Sequence, residues 1–528
     1  MIKFSGRTLK NRIQANTMDE ADRLSPIIEA RINGGIISSI DPADIPNNAL
    51  SDAKNVFCRF DKTGPVEGVV IMSPTKPNSN KVLKLYSYKQ NNGTSYTLRF
   101  TNSTIHKLSS SSWQILAGTL TGSAMDRFSV ATAFNQVIFA NSIDPIKQID
   151  LLVGSYTNLG NAPRYKYVTS FYNRVVGAYY NEPGSVNPVQ VGWSADGVIT
   201  EWDPLVNQSA GNSSIIESPG DYADFAAGVF GFTNVLLLIR EKSVWVATKN
   251  PVASNPFEFR GVIPGKGCTA PNSISVVPGG LIWVDPRTKN VYAYSIGGEL
   301  QPISDNIRTE LFKSITDLDS VEGSYNTLKN EYSILIPSLS DYKRIWTFNL
   351  DNSSWVYAEL PNVSCINDVD TIAQELLIDD LTGTIDDLTG IIDDLTGTLT
   401  VGTQRLYGKE DGDIYHAQDS ALNTFESSVI SKEFNFPVAT LGVQKVKIDF
   451  KIITESTINL YFTKNSGITW TLGKTITFSP SNESQVLYFQ RYIRARKFMF
   501  KLVSTNCKWE VLNYEILAIP SGKVVRNY

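Results

Sequence analysis

Apolar and polar positions alternate along most of this chain, and helical spacing is scarce. The clearest unit is residues 81–118, where KVLKLYSY, SYTLRF, TIHKL and WQIL read as four strands in a row, with Asn92-Gly93 supplying the first hairpin turn. A similar event recurs downstream: an apolar strand, a turn residue, then a second and more apolar strand. It is seen as SVATAFNQVIFA (129–140), KYVTSFYNRVVGAYY (166–180), AAGVFGFTNVLLLIR (226–240), SISVVPGGLIWV (273–284) and GSYNTLKNEYSILI (323–336). Third and fourth runs such as SVWVAT, NVYAYS, RIWTFNL, FEFRGV and SWVYAEL follow. Units begin near 81, 127, 166, 226, 273, 321 and 364, a spacing of 39 to 60 residues. Four strands every forty-odd residues predict an all-β chain whose residues 80–424 form a β-propeller of about seven blades, since stacking blades around an axis buries both faces of each. Stacked sandwiches would give less regular spacing.

Residues 425–519 read differently. SSVISKEF, VQKVKIDFKI, TINLYFT, TWTLGKTITF, QVLYFQ, KFMFKLV and WEVLNYEIL are seven candidate strands with no helix pattern between them. They predict a separate C-terminal antiparallel β-sandwich, followed by a tail at 520–528. Ahead of the propeller, residues 33–79 form a lead-in. A short helix-compatible run from Asn48 to Lys54 precedes a strand-like run from Val56 to Phe60, which Gly64-Pro65 ends. Residues 1–32 are read as an extended N-terminal arm. Lys3, Arg7, Lys10 and Arg12 charge its start before the first acid, Asp19. Its two readings are a frayed terminus and an arm that docks on a neighbouring subunit.

The last unit is interrupted at 375–398 by ELLIDDLTGTIDDLTGIIDDLTGT, a repeat of period seven. Gly, Thr and paired Asp in every repeat argue against a coiled coil and for turns inserted in a loop. Asp379, Asp380, Asp386, Asp387, Asp393 and Asp394, with Glu375, make a local acidic spot and the electrostatic opposite of the arm. Aspartates suit calcium, but the nonapeptide of calcium-binding β-rolls is missing, so no metal or other cofactor is expected. RLYGKEDGDIYHA (405–417) then resumes strand, turn and strand as the last blade hairpin.

Composition narrows the function. With 528 residues, 42% hydrophobic and 19% charged, the chain is globular rather than disordered. A net charge of −4 argues against tight sequence-independent binding to nucleic acid, which needs a basic face. The densest basic run, Arg491, Arg494, Arg496 and Lys497, is spread by strand alternation and reads as a solvated edge. Cys58, Cys268, Cys365 and Cys507 are too scattered for a CxxC motif and are expected as buried thiols. The first residues lack the apolar core of a signal peptide, and no aliphatic run is long enough to span a bilayer. TKNSGITW (463–470) is similar to the Asp-box of sialidases with Asn465 in the acid's place; that box is a structural turn. No paired carboxylates, GxSxG, HExxH, Walker or dinucleotide fingerprint stands out, so no catalytic centre is expected.

The lead-in carries a resemblance. Gly34-Gly35, then Asp41-Pro42 with Pro46, then Ser51-Asp52-Ala53-x-Asn55-Val56, then Arg59-x-Asp61 shortly before Gly64, resembles the start of the tail nozzle, or packaged-DNA stabilisation, proteins of short-tailed bacteriophages (podoviruses). The blade region, the LYGKEDGDIYHAQDS segment and the C-terminal sandwich are similar in pattern and order. The resemblance implies a virion structural protein made in a bacterial host cytoplasm and located in the tail. It would form a homo-hexameric ring below the portal and head-tail adaptor, meet a tail fibre or tip protein, retain packaged DNA and pass it on ejection. The arm and the acidic insertion are the candidate contacts with a neighbour or the adaptor. The alternative is a propeller-type glycan-binding or glycan-degrading tail protein that recognises the host surface.

Overall fold

The computed structural model describes residues 27–73, 76–109, 112–122, 127–250, 255–336, 342–372, 401–418, 421–422, 424–435, 441–481 and 483–520. These residues are almost wholly β, the one α-helix among them being the six-residue Arg308–Lys313.

Six free-standing four-stranded meanders are arranged as propeller blades. The first five cover residues 84–115, 129–158, 165–214, 226–264 and 275–302. The last is made of Val363–Ile372, Val401–Lys409, Ile414–Gln418 and, as its outermost strand, Gly68–Ile71 from the lead-in. Between the fifth and the last lies another meander, residues 322–361, built like the others but continuous with a ten-stranded sheet. It is numbered the sixth here, and the last the seventh. The expectation of about seven blades therefore differs slightly from six independent blades, because this one is shared with the C-terminal domain.

Neighbouring meanders are stitched by hydrogen bonds from side chains on their first and second strands. The Tyr86 hydroxyl meets Thr132 Oγ1 at 2.9 Å, Ser129 Oγ accepts from Val168 N at 3.0 Å, and Thr169 Oγ1 accepts from Gly231 N at 3.1 Å. Tyr332 donates to Ser273 O at 2.7 Å, Ser324 Oγ accepts from Asp368 N at 2.8 Å, and Ser364 donates to Val82 O at 2.7 Å. The last of these joins the seventh meander to the first and closes the ring. Between them the second strands supply the apolar filling: QVIFA, LLLIR, GLIWVD and EYSILI are almost completely buried. Strands buried on both faces read as continuous apolar runs, and the sequence shows that.

All seven C-terminal strands expected from the sequence are present and form a sandwich. Leu441–Ile452, Gln485–Ala495 and Trp509–Pro520 lie in one sheet; Ser427–Ser431, Ser456–Thr463, Thr471–Phe478 and Lys497–Ser504 lie in the other. Val446, Ile448 and Phe450 from the first pack with Ile458, Leu460, Phe500 and Leu502 from the second. The domain is not separate, however. Ile27–Arg31, expected within the arm, pairs along its whole length with Trp509–Pro520. Val56–Cys58 and Thr63–Pro65 extend that same sheet.

The Asn48–Lys54 run is a strand, not a helix. Leu50–Lys54 pairs antiparallel with Ser427–Ser431 and, through Lys54, parallel with Tyr357 of the sixth meander. Helix propensity of a few tenths of a kcal/mol per residue cannot compete with two flanking strands and the burial of Leu50 and Ala53. Residues 33–79 are thus the splice between propeller and sandwich, and one apolar core runs through both, from Trp346 and Trp355 to Trp509 and Phe500.

Candidate functional site

The arm cations Lys3, Arg7, Lys10 and Arg12, and the insertion residues Asp379, Asp380, Asp386, Asp387, Asp393 and Asp394, lie outside the described residues. Their anchors are described. The arm enters through Ile27, opposite Leu517 on the sandwich sheet. The insertion leaves from Ile372 and returns at Val401, which face each other across the inner hairpin of the seventh meander. Arm and insertion therefore start from different elements.

What the structure does build, from the very residues that carry the phage resemblance, is a three-way junction of lead-in, propeller and sandwich. Gly35 has φ +66°, and a Cβ there would meet Ser354 Cβ and Trp355 N at 2.7 Å, so only glycine lets the turn lie against the sixth meander. Pro42 O accepts Glu433 N at 2.9 Å, and Ser51 donates to Ser431 O at 2.8 Å; both reach the sandwich. Asn55 is the hub. It is buried and left-handed, with φ 54°. Its N–H donates to Tyr357 O at 2.8 Å, its Oδ1 accepts from Glu359 N at 2.7 Å, and its Nδ2 donates to Glu426 O at 2.8 Å. Its carbonyl accepts from Val66 N and from the Ser427 hydroxyl. Asparagine is the side chain that tolerates this backbone and offers both a donor and an acceptor.

Charges seal the junction. Arg59 pairs with Glu331 at 3.1 Å and with Glu67 at 3.8 Å, and Lys329 also pairs with Glu67. Arg405 holds Asp368 at 3.0 Å, and Asn326 Nδ2 donates to the same carboxylate at 3.0 Å. Burial alone would push the Glu67 carboxyl up, but Lys329 and then Arg59 hold it below its usual range. Around this network lies a cavity of about 50 Å³ lined by Phe57, Arg59, Glu67, Lys329, Tyr357 and Tyr407 among others. It has room for a few water molecules and none for a sugar ring. On the outer side, Arg344 lies 4.2 Å from the Tyr357 ring centre and pairs with Glu310 and Glu359, while Lys54 pairs with Glu359 at 2.7 Å.

Burial raises three carboxyls above their ordinary range: Asp52 in the lead-in, Glu241 after the second strand of the fourth meander, and Asp285 in the fifth. None of the three lines the cavity. Among the described residues no group of three or more His, Cys, Asp or Glu is placed to hold a metal, and no helix is long and apolar enough to cross a membrane. The Asp-box-like turn is structural: Asn465 Oδ1 accepts from Thr469 N at 3.0 Å, and Gly467 takes φ +83°. Arg491, Arg494, Arg496 and Lys497 are all exposed at the end of the sandwich, and Lys497 pairs with Glu433 at 2.7 Å.

Sequence reasoning missed the hub role of Asn55. The available signal was an asparagine between a helix-compatible run and a strand-like run, where a left-handed residue lets the chain change direction.

No family model and no curated protein matches the sequence. Among solved structures, "YCF48 bound to D1 peptide" is similar at 9% identity and TM-score 0.35, covering 67% of this chain and 94% of that one. The "WD40 beta propeller domain of Doa1" is similar at 10% identity and TM-score 0.37, covering 67% and 98%.

Proposed function

We propose that this chain is a virion structural protein of a short-tailed bacteriophage: a subunit of the tail nozzle ring that sits below the portal and adaptor, extends the DNA channel, helps retain packaged DNA and lets it pass on ejection. The observation that carries the reading is the junction. The ordered motif that resembles nozzle proteins is the segment that welds propeller to sandwich, with Gly35, Ser51, Asn55 and Arg59 each making a defined cross-element contact. A wall under internal pressure needs its parts fused rather than hinged, and a shared sheet and core provide that. A mildly acidic chain gives passing phosphates little to hold. The channel in this reading is the space enclosed by the subunits, not the axis of one propeller.

The test is the mass and image of the purified particle, followed by its place in virions. A closed ring that restores DNA-filled heads when added to tail-less particles is the expected result. A monomer that hydrolyses host polysaccharide, with activity abolished by one Asp or Glu substitution, would replace this reading with the glycan-degrading one.

A further inference from the structure

Two large apolar side chains stand in solvent at one corner of the molecule: Phe60 at 66% exposure and Leu328 at 58%. Phe60 tops the turn between Val56–Cys58 and Thr63–Pro65; Leu328 tops the inner hairpin of the sixth meander, between Glu322–Asn326 and Glu331–Ile336. Two independent sets of contacts hold these turns together. Arg59 beside Phe60 and Lys329 beside Leu328 both pair with the Glu67 carboxylate. Asn33 Nδ2 donates to Phe60 O at 2.8 Å, and Asn352 Nδ2 donates to Asn33 O at 3.0 Å. Next to Asn352, the Asp351 carboxylate accepts from Asn330 Nδ2 in the Leu328 hairpin at 2.6 Å. The two apolar tips therefore belong to one surface.

The charge left on that surface is negative. The cations of the two turns are engaged inward: Arg59 on Glu331 and Glu67, Lys329 on Glu67, and Lys62 on Glu510 at 2.7 Å. Asp61 and Asp351 are exposed and take part in no ion pair among the described residues. The acidic residues 373–400 leave the fold beside the same corner: Asp368, four residues before Ile372, accepts from Asn326, two residues before Leu328. An apolar pair flanked by unpaired charge of one sign marks an interaction surface, and its complement is a basic segment with apolar side chains.

The chain carries such a segment in residues 1–26, where Ile2, Phe4 and Leu9 are interleaved with Lys3, Arg7, Lys10 and Arg12 and no acid occurs before Asp19. That segment joins the fold away from the corner. Thr63, at the end of the Phe60 turn, faces Val511, whereas Ile27 faces Leu517, about 20 Å further along the same strand. At about 3.3 Å per extended residue, residues 1–26 have ample reach to a second molecule. We propose that the arm of one copy docks on the Phe60–Leu328 corner of the next, its apolar side chains against the two tips and its cations against Asp61 and Asp351. Donor and receiver are different surfaces, so the contact is heterologous and makes a ring when its rotation closes. Closure rests on the nozzle reading; the contact does not.

The experiment measures the mass of the full chain by sedimentation beside two variants, one lacking residues 1–26 and one carrying Phe60→Ser. The described strands begin at Ile27 and Phe60 is exposed, so thermal unfolding of both should match the parent. Each variant alone should be monomeric where the parent associates. Mixed in equal amounts they should form a dimer and nothing larger, because one keeps only the corner and the other only the arm. A labelled peptide of residues 1–26 should bind the shortened chain. Introducing Phe60→Ser there, or Asp61→Lys with Asp351→Lys, should weaken that binding by roughly tenfold or more, and added salt should weaken it too. If the parent forms rings and either variant does too, or if the corner substitutions leave peptide binding unchanged, this surface is wrong while the ring stands. Peptide binding that appears only when residues 373–400 are removed makes the insertion the occupant and overturns the proposal. A parent that stays monomeric at every concentration overturns the contact between copies; the nozzle reading is judged separately, by incorporation into virions.

Discussion

At the scale of the residue, Asn55 and His106 give the sharpest tests. Replacing Asn55 by Ala removes two side-chain hydrogen bonds, strands the Glu359 N–H, and leaves a β-carbon in a left-handed backbone. The expected cost is about 2–4 kcal/mol, read as a shifted denaturation midpoint. Asn55→Gly should recover only the backbone share. His106 is buried with its Nδ1 3.1 Å from Arg99 Nη1, and burial, then the Arg99 charge, lowers its pKa to about 4. An unfolded histidine titrates near 6.5, so the unfolded chain binds more protons between those values. Stability from this group is complete above about pH 6.5 and is lost as pH falls towards 4, a change on the order of 3 kcal/mol. His106→Gln should flatten that part of the stability–pH curve, and an unchanged slope would refute the assignment.

At the scale of the element, the two interruptions of the seventh meander behave oppositely. Its inner hairpin keeps register to Ile372 opposite Val401, so residues 373–400 can be replaced by an Asn-Gly turn. The shortened chain should keep its thermal midpoint within a few degrees, because no rung of the described ladder is lost. Removing the lead-in has the opposite effect. A chain starting at residue 80 lacks Gly68–Ile71, which closes the seventh meander, and Leu50–Lys54, which bridges to the sandwich. It exposes an edge strand and should aggregate or fail to unfold cooperatively. Recovery of a monomer with native circular dichroism would show that the splice is dispensable.

At the scale of the whole molecule, the arm is separable where the sheet begins. Ile27–Arg31 belongs to the sandwich, so a deletion meant to test docking should stop at residue 26. On the nozzle reading that deletion leaves the fold intact and lowers incorporation into tails, measured by the fraction of particles that keep their DNA. Normal incorporation would make the arm a bystander.

The amino-acid sequence by itself determined the local elements. Apolar runs such as QVIFA or KFMFKLV, turns at Asn92-Gly93 or Gly467, and the forty-odd-residue period are short-range properties, and each survives in the structure. The four buried cysteines followed from the same local logic. Only the tertiary structure decided where the chain's beginning goes. Leu50–Lys54 is a strand because Ser427–Ser431, nearly four hundred residues away, lies beside it, and Gly68–Ile71 completes a blade whose other strands begin at Val363. Pairing energy depends on which strand is adjacent in space, and a pattern of period two says that a strand exists without naming its partner.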